Sequence, residues 1–260
     1  MASGVAHKGR EEARVRYRAP SGVTRLLLQE AIRRSGRSVE DKQFDLLRSY
    51  GTRDAYVYYA GDLNLLVRPT VSVVGTREVS EDGWRRASRL ARELALNNIV
   101  VMSGLARGVD TAALTTAIEL GGKTIGVIGT PLDTAYPAEN AKLQEEIYSH
   151  HLLLSPFRTG EAVFKGNFPK RNRVMALLSD ATVIVEASDT SGTLHQAAEC
   201  LRQGRWLFIM KSVVDDPNLT WPGRFVGKPK VVVLSSTSEI ADAIGDGPRS
   251  SEHEQSKSDD

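Results

Sequence analysis

The stretch Phe168–Gly192, FPKRNRVMALLSDATVIVEASDTSG, joins a basic cluster to a strand-like apolar run. The cluster holds three cations, Lys170, Arg171 and Arg173. The segment Arg173–Leu178 is typical of a short helix that would carry them, and the mainly apolar segment Thr182–Ala187 predicts a strand covered on both faces. A dense group of cations beside the end of a strand predicts an anionic ligand.

Short apolar runs alternate with helical stretches on both sides of this segment. The other predicted strands are Val71–Gly75, Ile99–Gly104, Thr124–Gly129, Leu152–Ser155, Trp206–Met210 and Lys230–Leu234. The other predicted helices are Trp84–Leu96, Thr111–Leu120, Ala141–His150, Thr193–Gln203 and Glu239–Ile244. This alternation predicts an α/β fold with a doubly wound, mostly parallel sheet and right-handed crossovers.

The remaining segments set the predicted domain organisation. Residues 1–20 lack apolar periodicity and are interpreted as a mobile arm. Residues 21–68 are interpreted as a small helical N-terminal module, because apolar residues recur at helical spacing over Val23–Ile32 and Phe44–Leu47; Tyr56–Tyr59 fits a short strand or a tight connection. The main domain is predicted at residues 69–246, and residues 247–260, which have no large apolar side chain, are predicted to be disordered.

Composition excludes several classes of protein. Of 260 residues, 41% are hydrophobic and 25% charged, and no apolar run approaches the roughly 20 residues that span a bilayer. The N-terminus has no apolar core typical of a secretory signal, so we expect a cytoplasmic protein with no membrane partner. Cys200, the one cysteine, predicts a buried thiol, and the five histidines form no metal-binding pattern; we predict no metal site and no cofactor.

The net charge of +2 is divided unevenly along the chain. Residues 1–53 hold 12 of the 34 Lys and Arg but 6 of the 32 Asp and Glu. This N-terminal excess indicates either attraction for polyanions or an ordinary solvated helix surface. The excess is also compatible with a protein that serves as an interaction module of a multi-component system.

Polar residues follow each predicted strand at the carboxyl edge, where open parallel sheets bind ligands. The first strand ends in Gly75-Thr76-Arg77, and the glycine and arginine suit a phosphate. No second or third glycine follows at the G-x-G-x-x-G spacing, which argues against a nicotinamide dinucleotide site. The second strand runs into SGLARGVDTAA, in which Gly104 and Gly108 flank Arg107, and Asp110 is a candidate N-cap. After the third strand, Asp133, Tyr136 and Asn140 either line the cleft or hold their loop.

Six segments in this order resemble the DNA-processing protein A (DprA/Smf) family across roughly residues 70–210. They are VVGTREVS, SGLARGVDTAA, PLDTAYPAEN, FPKRNRVMALLSDATVIVEA, SGTLHQAAE and QGR. The resemblance implies an extended Rossmann-like fold that binds single-stranded DNA, forms a homodimer and passes the strand to a RecA-type recombinase during natural transformation.

The resemblance also assigns roles to individual residues. It implies contact with the strand by Arg77, Phe168, Lys170, Arg171 and Arg173, and a pocket shaped by Gly75, Ser103, Gly104 and Gly108. Arg107, Gly192 and Thr193 complete the predicted nucleic-acid-binding set. The physical chemistry agrees, because cations neutralise phosphates and a phenylalanine ring stacks on bases.

A rival reading is a nucleotide-binding sensor or a nucleotide-cleaving enzyme similar to the lysine-decarboxylase-like (LOG-type) phosphoribohydrolases. Their pattern P-G-G-x-G-T-x-x-E is matched at Gly192 and Thr193, but Gln196 stands in place of the glutamate. An amide cannot act as a general base, so we predict no catalytic residue and no enzymatic activity. Glu199 lies nearly a helical turn further on and could substitute only if the helix were repositioned. Two interpretations of Glu186 are open: it forms an ion pair with a clustered arginine, or it contacts a ligand.

Overall fold

A single sheet runs through the structure, a computed structural model that describes residues 17–37 and 55–245. In that part of the chain the strands are β1 (Thr24–Leu27), β2 (Tyr56–Gly61), β3 (Thr70–Val74), β4 (Val100–Ser103), β5 (Thr124–Val127), β6 (Leu152–Ser155), β7 (Ala181–Ile184), β8 (Trp206–Met210) and β9 (Val231–Leu234). The seven predicted strands are all present, with ends that differ by a few residues.

The order of the strands is β1-β2-β6-β5-β4-β3-β7-β8-β9. From β6 to β9 every pair is parallel, whereas β1 and β2 join antiparallel at one edge. The chain builds outward from β3 to β6 and then returns to place β7 on the other side of β3. The predicted doubly wound, mostly parallel sheet is confirmed, and its topological switch point lies between β3 and β7.

Helices cover both faces of the sheet. They are α1 (Leu28–Arg34), α2 (Glu81–Leu96), α3 (Val109–Glu119), α4 (Ala141–His150), α5 (Asn167–Leu178), α6 (Thr193–Arg202), α7 (Lys211–Val214) and α8 (Ser238–Gly245). Successive strand residues alternate between two buried clusters. Val73 belongs to the cluster that includes residues of α2, α3 and α8, and its neighbour Val74 belongs to the cluster that includes residues of α1, α5 and α6. Both faces of the central strands are therefore apolar, as their continuous hydrophobic runs predict.

The N-terminal module is not simply helical. Thr24–Leu27, inside the predicted helix Val23–Ile32, is a strand, and the helix begins only at Leu28. Strand β1 pairs with β2, which in turn pairs with β6, so this segment extends the main sheet. The helical prediction failed here because backbone pairing with a strand some thirty residues away outweighs local apolar spacing. Phe44–Leu47 lies outside the described residues.

The described end of the predicted mobile arm is anchored. The Tyr17 hydroxyl donates to the carbonyl oxygen of Leu132 at 2.7 Å and accepts from Gln144 Nε2 at 2.8 Å. Arg18 pairs with Glu145 of α4 at 3.1 Å. Residues 1–16 and the predicted tail 247–260 lie outside the described residues, and the domain boundaries at residues 68 and 246 stay predictions.

His151 makes the stability of the fold depend on pH. It is 5% exposed, and its Nδ1 accepts a hydrogen bond from the Thr124 amide at 3.4 Å. Burial, aided by Lys123, lowers the pKa of His151 from 6.5 to about 4. The folded state thus favours the neutral imidazole, whereas the unfolded state binds a proton below about pH 6.5. The contribution of neutral His151 to the free energy of unfolding is therefore complete above about pH 6.5 and is lost as the pH falls toward 4.

We expect the free energy of unfolding to fall by roughly 3 kcal/mol through His151 between pH 7 and pH 4. Urea titrations at both pH values measure it. In His151→Gln the loss should be smaller by about that amount. His150→Gln is the matched control, because the neighbouring His150 side chain is 64% exposed. An acid loss that is the same in both variants would contradict the assignment.

Candidate nucleic-acid interface

A cleft of about 450 Å³ opens at the switch point, beyond the carboxyl ends of β3 and β7. Four segments line it: the turn Val74–Glu78 after β3, the connection from β4 into α3 with Ala106 and Asp110, the first half of α5, and the loop that leads into α6 with the first turn of that helix. Six of the twelve predicted site residues face this cleft: Gly75, Arg77, Phe168, Arg171, Gly192 and Thr193. The topology therefore joins residues more than a hundred positions apart in the sequence.

Phe168 forms the centre of an aromatic and cationic surface at the cleft. Its ring rests on Gly129, where a Cβ atom would lie 2.7 Å from Phe168 Cδ1. The Arg77 guanidinium carbon lies 5.5 Å from the centre of the ring. The centre of the Tyr136 ring lies 5.6 Å from that of Phe168, and Tyr136 is 48% exposed. Contacts with Gly129, Arg77 and Tyr136 thus hold Phe168 in place, and its side chain remains partly exposed.

Arg171 occupies the interior of the cleft and is only 7% exposed. Its Nη1 donates to the carbonyl oxygen of Val127 at 3.2 Å, and Nε has no hydrogen-bond partner in the described part of the chain. A Cβ on Gly104 would lie 1.2 Å from Nη1, so glycine is required there. The close approach that this glycine permits is made by a side chain of the protein itself.

Asp110 is the buried carboxylate opposite Arg171. It is not the predicted N-cap of α3, because Gly108 holds that position; its Oδ2 accepts instead from the amides of Gly104 (3.0 Å) and Ala106 (3.3 Å). Burial raises the pKa of Asp110, and the positive charge of Arg171 opposes that rise. Burial likewise lowers the pKa of Arg171, and Asp110 opposes it. Each charge thus stabilises the charged form of the other in a buried site.

Two glycines pack the loops of the cleft together. Gly108 has φ +74°, and a Cβ there would lie 2.4 Å from the carbonyl oxygen of Thr76. At Gly75 a Cβ would lie 2.4 Å from Val109 Cγ2. Thr193 Oγ1 donates to the carbonyl oxygen of Gly75 at 3.0 Å and ties the start of α6 to the same turn. These contacts fix the backbone that carries Arg77.

The other predicted residues lie behind or beside the cleft. Ser103 is buried and donates to the carbonyl oxygen of Val73 at 2.7 Å. Arg107 is exposed and pairs with Glu139, and Arg173 pairs with Glu199 of α6 at 3.3 Å. Lys170 is exposed on the first turn of α5 and does not line the cleft. Arg107, Lys170 and Arg173 are therefore further from a ligand in the cleft than Arg77 and Arg171.

Glu186 has a structural role that neither interpretation from the sequence, an ion pair with a clustered arginine or contact with a ligand, had specified. Its carboxylate accepts from the Ser80 amide (2.9 Å) and hydroxyl (2.6 Å), and it pairs with Arg86 at 3.1 Å. Ser80 is the N-cap of α2. Glu186 therefore holds the start of α2 against the end of β7, and its cationic partner comes from α2 and not from the basic cluster.

The start of α6 presents an amide to the cleft. Gln196 is 1% exposed, and its Nε2 donates to Thr182 Oγ1 at 3.3 Å. Glu199, one turn later, is held by Arg173 and Arg202. The carboxylates that line the cleft are Glu78 and the buried Asp110. Besides these two carboxylates the cleft offers cations, amide and hydroxyl groups, the imidazole of His195 and the phenyl ring of Phe168, which suit binding of a phosphate and a base.

Some cleft residues were missed from the sequence. Asn172, Ser191 and His195 line the cleft, whereas Tyr136, one of the residues expected after the third strand, contacts Phe168. The helix that carries the cluster begins at Asn167, not at Arg173, because proline is tolerated in the first turn and Pro169 does not end it. With that start, the i, i+3 and i+4 spacing from Phe168 selects Arg171 and Asn172 and turns Lys170 and Arg173 away.

Residues 17–37 and 55–245 contain neither a metal-binding cluster nor a membrane-spanning helix. No group of three or more His, Cys, Asp or Glu side chains there is arranged to hold a metal ion. No helix in the same ranges has the length and hydropathy needed to cross a bilayer. Cys200 is buried, as expected, and burial raises the pKa of its thiol to about 12.

Comparison with known proteins gives one family. The model of the DNA recombination-mediator protein A family matches residues 38–240. DNA processing protein DprA of Streptococcus pneumoniae is 41% identical over 160 residues, which are 62% of this chain and 56% of that protein. DprA of Bacillus subtilis is 32% identical over 200 residues, 76% of this chain and 67% of that protein. The matched region is thus little more than half the length of the S. pneumoniae relative.

Solved structures give the same result. The crystal structure of S. pneumoniae DprA matches with a TM-score of 0.66 and 36% identity, over 72% of this chain and 65% of that one. A structure of DNA processing protein A from Helicobacter pylori, described for its single-stranded DNA binding mode, matches with a TM-score of 0.67 and 27% identity. That match covers 85% of this chain and 95% of the H. pylori chain.

Proposed function

The chain belongs to the DNA recombination-mediator protein A family, as its six motifs predict, and on this premise we propose that its switch-point cleft binds single-stranded DNA. The protein would act as a DNA-processing or recombination mediator. A strand would place a phosphate between Arg77 and Arg171 and stack a base on Phe168.

One observation carries this proposal: a half-exposed ring and two arginines converge on a single cleft. Arg77 lies over Phe168, and Arg171 lies one helical turn from it in the cleft interior. A small inorganic anion would be bound by the two arginines alone and would leave the ring unused. A ring exposed beside the arginines suits a ligand that has both a phosphate and a flat base. This ligand is expected to be single-stranded, because the bases of a duplex are stacked on each other and cannot stack on the ring.

The relative from H. pylori supports the same ligand. That protein is described as binding single-stranded DNA, and the present chain covers 95% of it. The shared fold supports the proposal that the present chain also binds a single strand. The predicted set of twelve contact residues remains a proposal, with Arg77, Phe168 and Arg171 as its centre.

We propose binding in preference to catalysis. The rival function, cleavage of a nucleotide, needs a carboxylate near the position that Gln196 occupies, and Glu199 is held by two arginines. If the rival were correct, incubation with nucleoside monophosphates would release free base, detectable by chromatography. We expect no release, and a nucleotide-dependent rise in melting temperature far smaller than that produced by an oligonucleotide.

The family resemblance further suggests a homodimer and a RecA-type recombinase as partner. Light scattering of the purified chain tests the first: a mass near twice 28.4 kDa supports it and a monomer mass contradicts it. Co-purification with a recombinase, with and without single-stranded DNA, tests the second.

Fluorescence anisotropy with labelled single-stranded and duplex DNA of the same sequence tests the central proposal. We expect tighter binding of the single strand and an affinity that falls as salt rises. The slope of log K against log salt should be about −0.7 for each phosphate neutralised. Equal affinity for duplex, or affinity unaffected by salt, would contradict binding by phosphate charge and base stacking.

A further inference from the structure

A second cleft, of about 380 Å³, lies at the same carboxyl edge of the sheet, beyond the ends of β8 and β9. One wall is the face of α2 that carries Arg86, Arg89 and Glu93, and the other walls are the ends of the two strands and the residues that follow them. The carboxyl ends of neighbouring parallel strands meet at one edge, so this cleft opens on the same side of the sheet as the switch-point cleft.

The second cleft has a cationic and hydroxyl-rich lining. Its cations are Arg86, Arg89 and Lys211, and its hydroxyl groups are on Ser212, Ser235, Ser236 and Thr237. Arg86 pairs with Glu186 and Lys211 with Asp215. Arg89 is exposed, and no ion pair is found for it within the described residues. The one acid in the lining, Glu93, accepts a hydrogen bond from Thr237.

Glu186 connects the two clefts. Its carbonyl oxygen accepts from the Thr76 amide at 2.7 Å, in the wall of the switch-point cleft. Its carboxylate pairs with Arg86, in the wall of the second cleft. The midpoints of the two clefts, β3/β7 and β8/β9, are two strand spacings apart, which is about 10 Å. That span is about three nucleotides at the rise of a stacked strand.

We propose that the second cleft binds the phosphodiester backbone of the same strand, a few nucleotides from the base held on Phe168. This extends the proposed function and rests on it. Arg89 and the Ser212 and Ser235 hydroxyls would hold phosphate oxygens. No aromatic ring lines the second cleft, so this cleft would add phosphate contacts and lengthen the binding site along the strand without preferring any base.

Arg89→Ala, compared with Arg92→Ala, tests this extension. Both arginines are exposed on α2, but only Arg89 lines the cleft. Labelled oligothymidylates from about 2 to about 16 nucleotides would be titrated by anisotropy; the dinucleotide is too short to span the two clefts, and the longest reach the upper end of the usual single-strand sites. For the longest oligonucleotides Arg89→Ala should weaken binding about two- to fivefold and reduce the salt slope by about 0.7. The shortest should bind as they do to the wild type, and Arg92→Ala should change neither value.

Each other outcome overturns the extension. Equal effects of Arg89→Ala and Arg92→Ala would mean that only general surface charge is involved. If wild-type affinity is independent of length and inorganic phosphate raises the melting temperature of the wild type but not of Arg89→Ala, the cleft binds a free anion instead. Binding of short oligonucleotides without any gain from length overturns the extension alone. Absence of single-strand binding at every length overturns the proposed function as well.

Discussion

The double variant Phe168→Ala, Arg77→Ala should bind single-stranded DNA about a hundred to a thousand times more weakly than the wild type. Loss of a stacked base costs about 1–3 kcal/mol, and loss of a charge-assisted hydrogen bond to a phosphate costs about 1.5–3 kcal/mol. A total near 3–4 kcal/mol corresponds to that change in affinity. Anisotropy at one fixed salt concentration measures it.

The matched control for this pair is Phe164→Ala, Arg92→Ala. Phe164 lies four residues before Phe168 and is 66% exposed, but it does not line the cleft. The control removes the same two residue types from the surface and should bind within about twofold of the wild type. If both double variants lost affinity equally, the switch-point cleft would not be the binding site.

The single variants separate charge from stacking. Arg77→Ala should reduce the slope of log K against log salt by about 0.7, because one phosphate contact is lost. Phe168→Ala should weaken binding without changing that slope, because stacking releases no counterions. A change of slope in Phe168→Ala would mean that the ring acts only by positioning Arg77 5.5 Å from its centre.

The central sheet was predictable because its strands are buried on both faces. A segment such as Val71–Gly75 is apolar at every position but its glycine and one serine, and that pattern needs no knowledge of the partner strand. Strand β1 was not predictable, because its residues are largely exposed and its partner β2 comes after a long intervening segment. What defines β1 is a pairing that local sequence does not encode.

The candidate site was predictable in composition but not in detail. The basic cluster and the glycine turns were visible in the sequence, because both are local. Which cations face the cleft depends on the start of α5, and Pro169 obscured that start. Gly104 was expected to shape the pocket, but the sequence did not show that the group it admits is Arg171, from a helix more than sixty residues later.

Asp180→Ala should reduce the free energy of unfolding by about 3–5 kcal/mol, because it leaves a buried arginine without its counterion. Arg37 has a side chain only 4% exposed, and its Nε and Nη2 donate to the two carboxylate oxygens of Asp180 at 2.9 and 2.7 Å. The same carboxylate accepts from the Thr70 amide at 2.8 Å. Asp180 thus ties the N-terminal segment to β3 and β7, at the end of the strands opposite the cleft. Urea unfolding followed by circular dichroism measures the loss.

Two further variants identify the cause of that loss. Asp215→Ala is the matched control, because Asp215 also pairs with a cation but is 55% exposed, and it should cost no more than about 1 kcal/mol. The double variant Arg37→Met, Asp180→Ala should be more stable than Asp180→Ala alone, since it removes the stranded charge together with its partner. A loss below about 1 kcal/mol in Asp180→Ala would mean that the N-terminal segment is held mainly by the strand pairing of β1 with β2 and of β2 with β6, and that this ion pair contributes little.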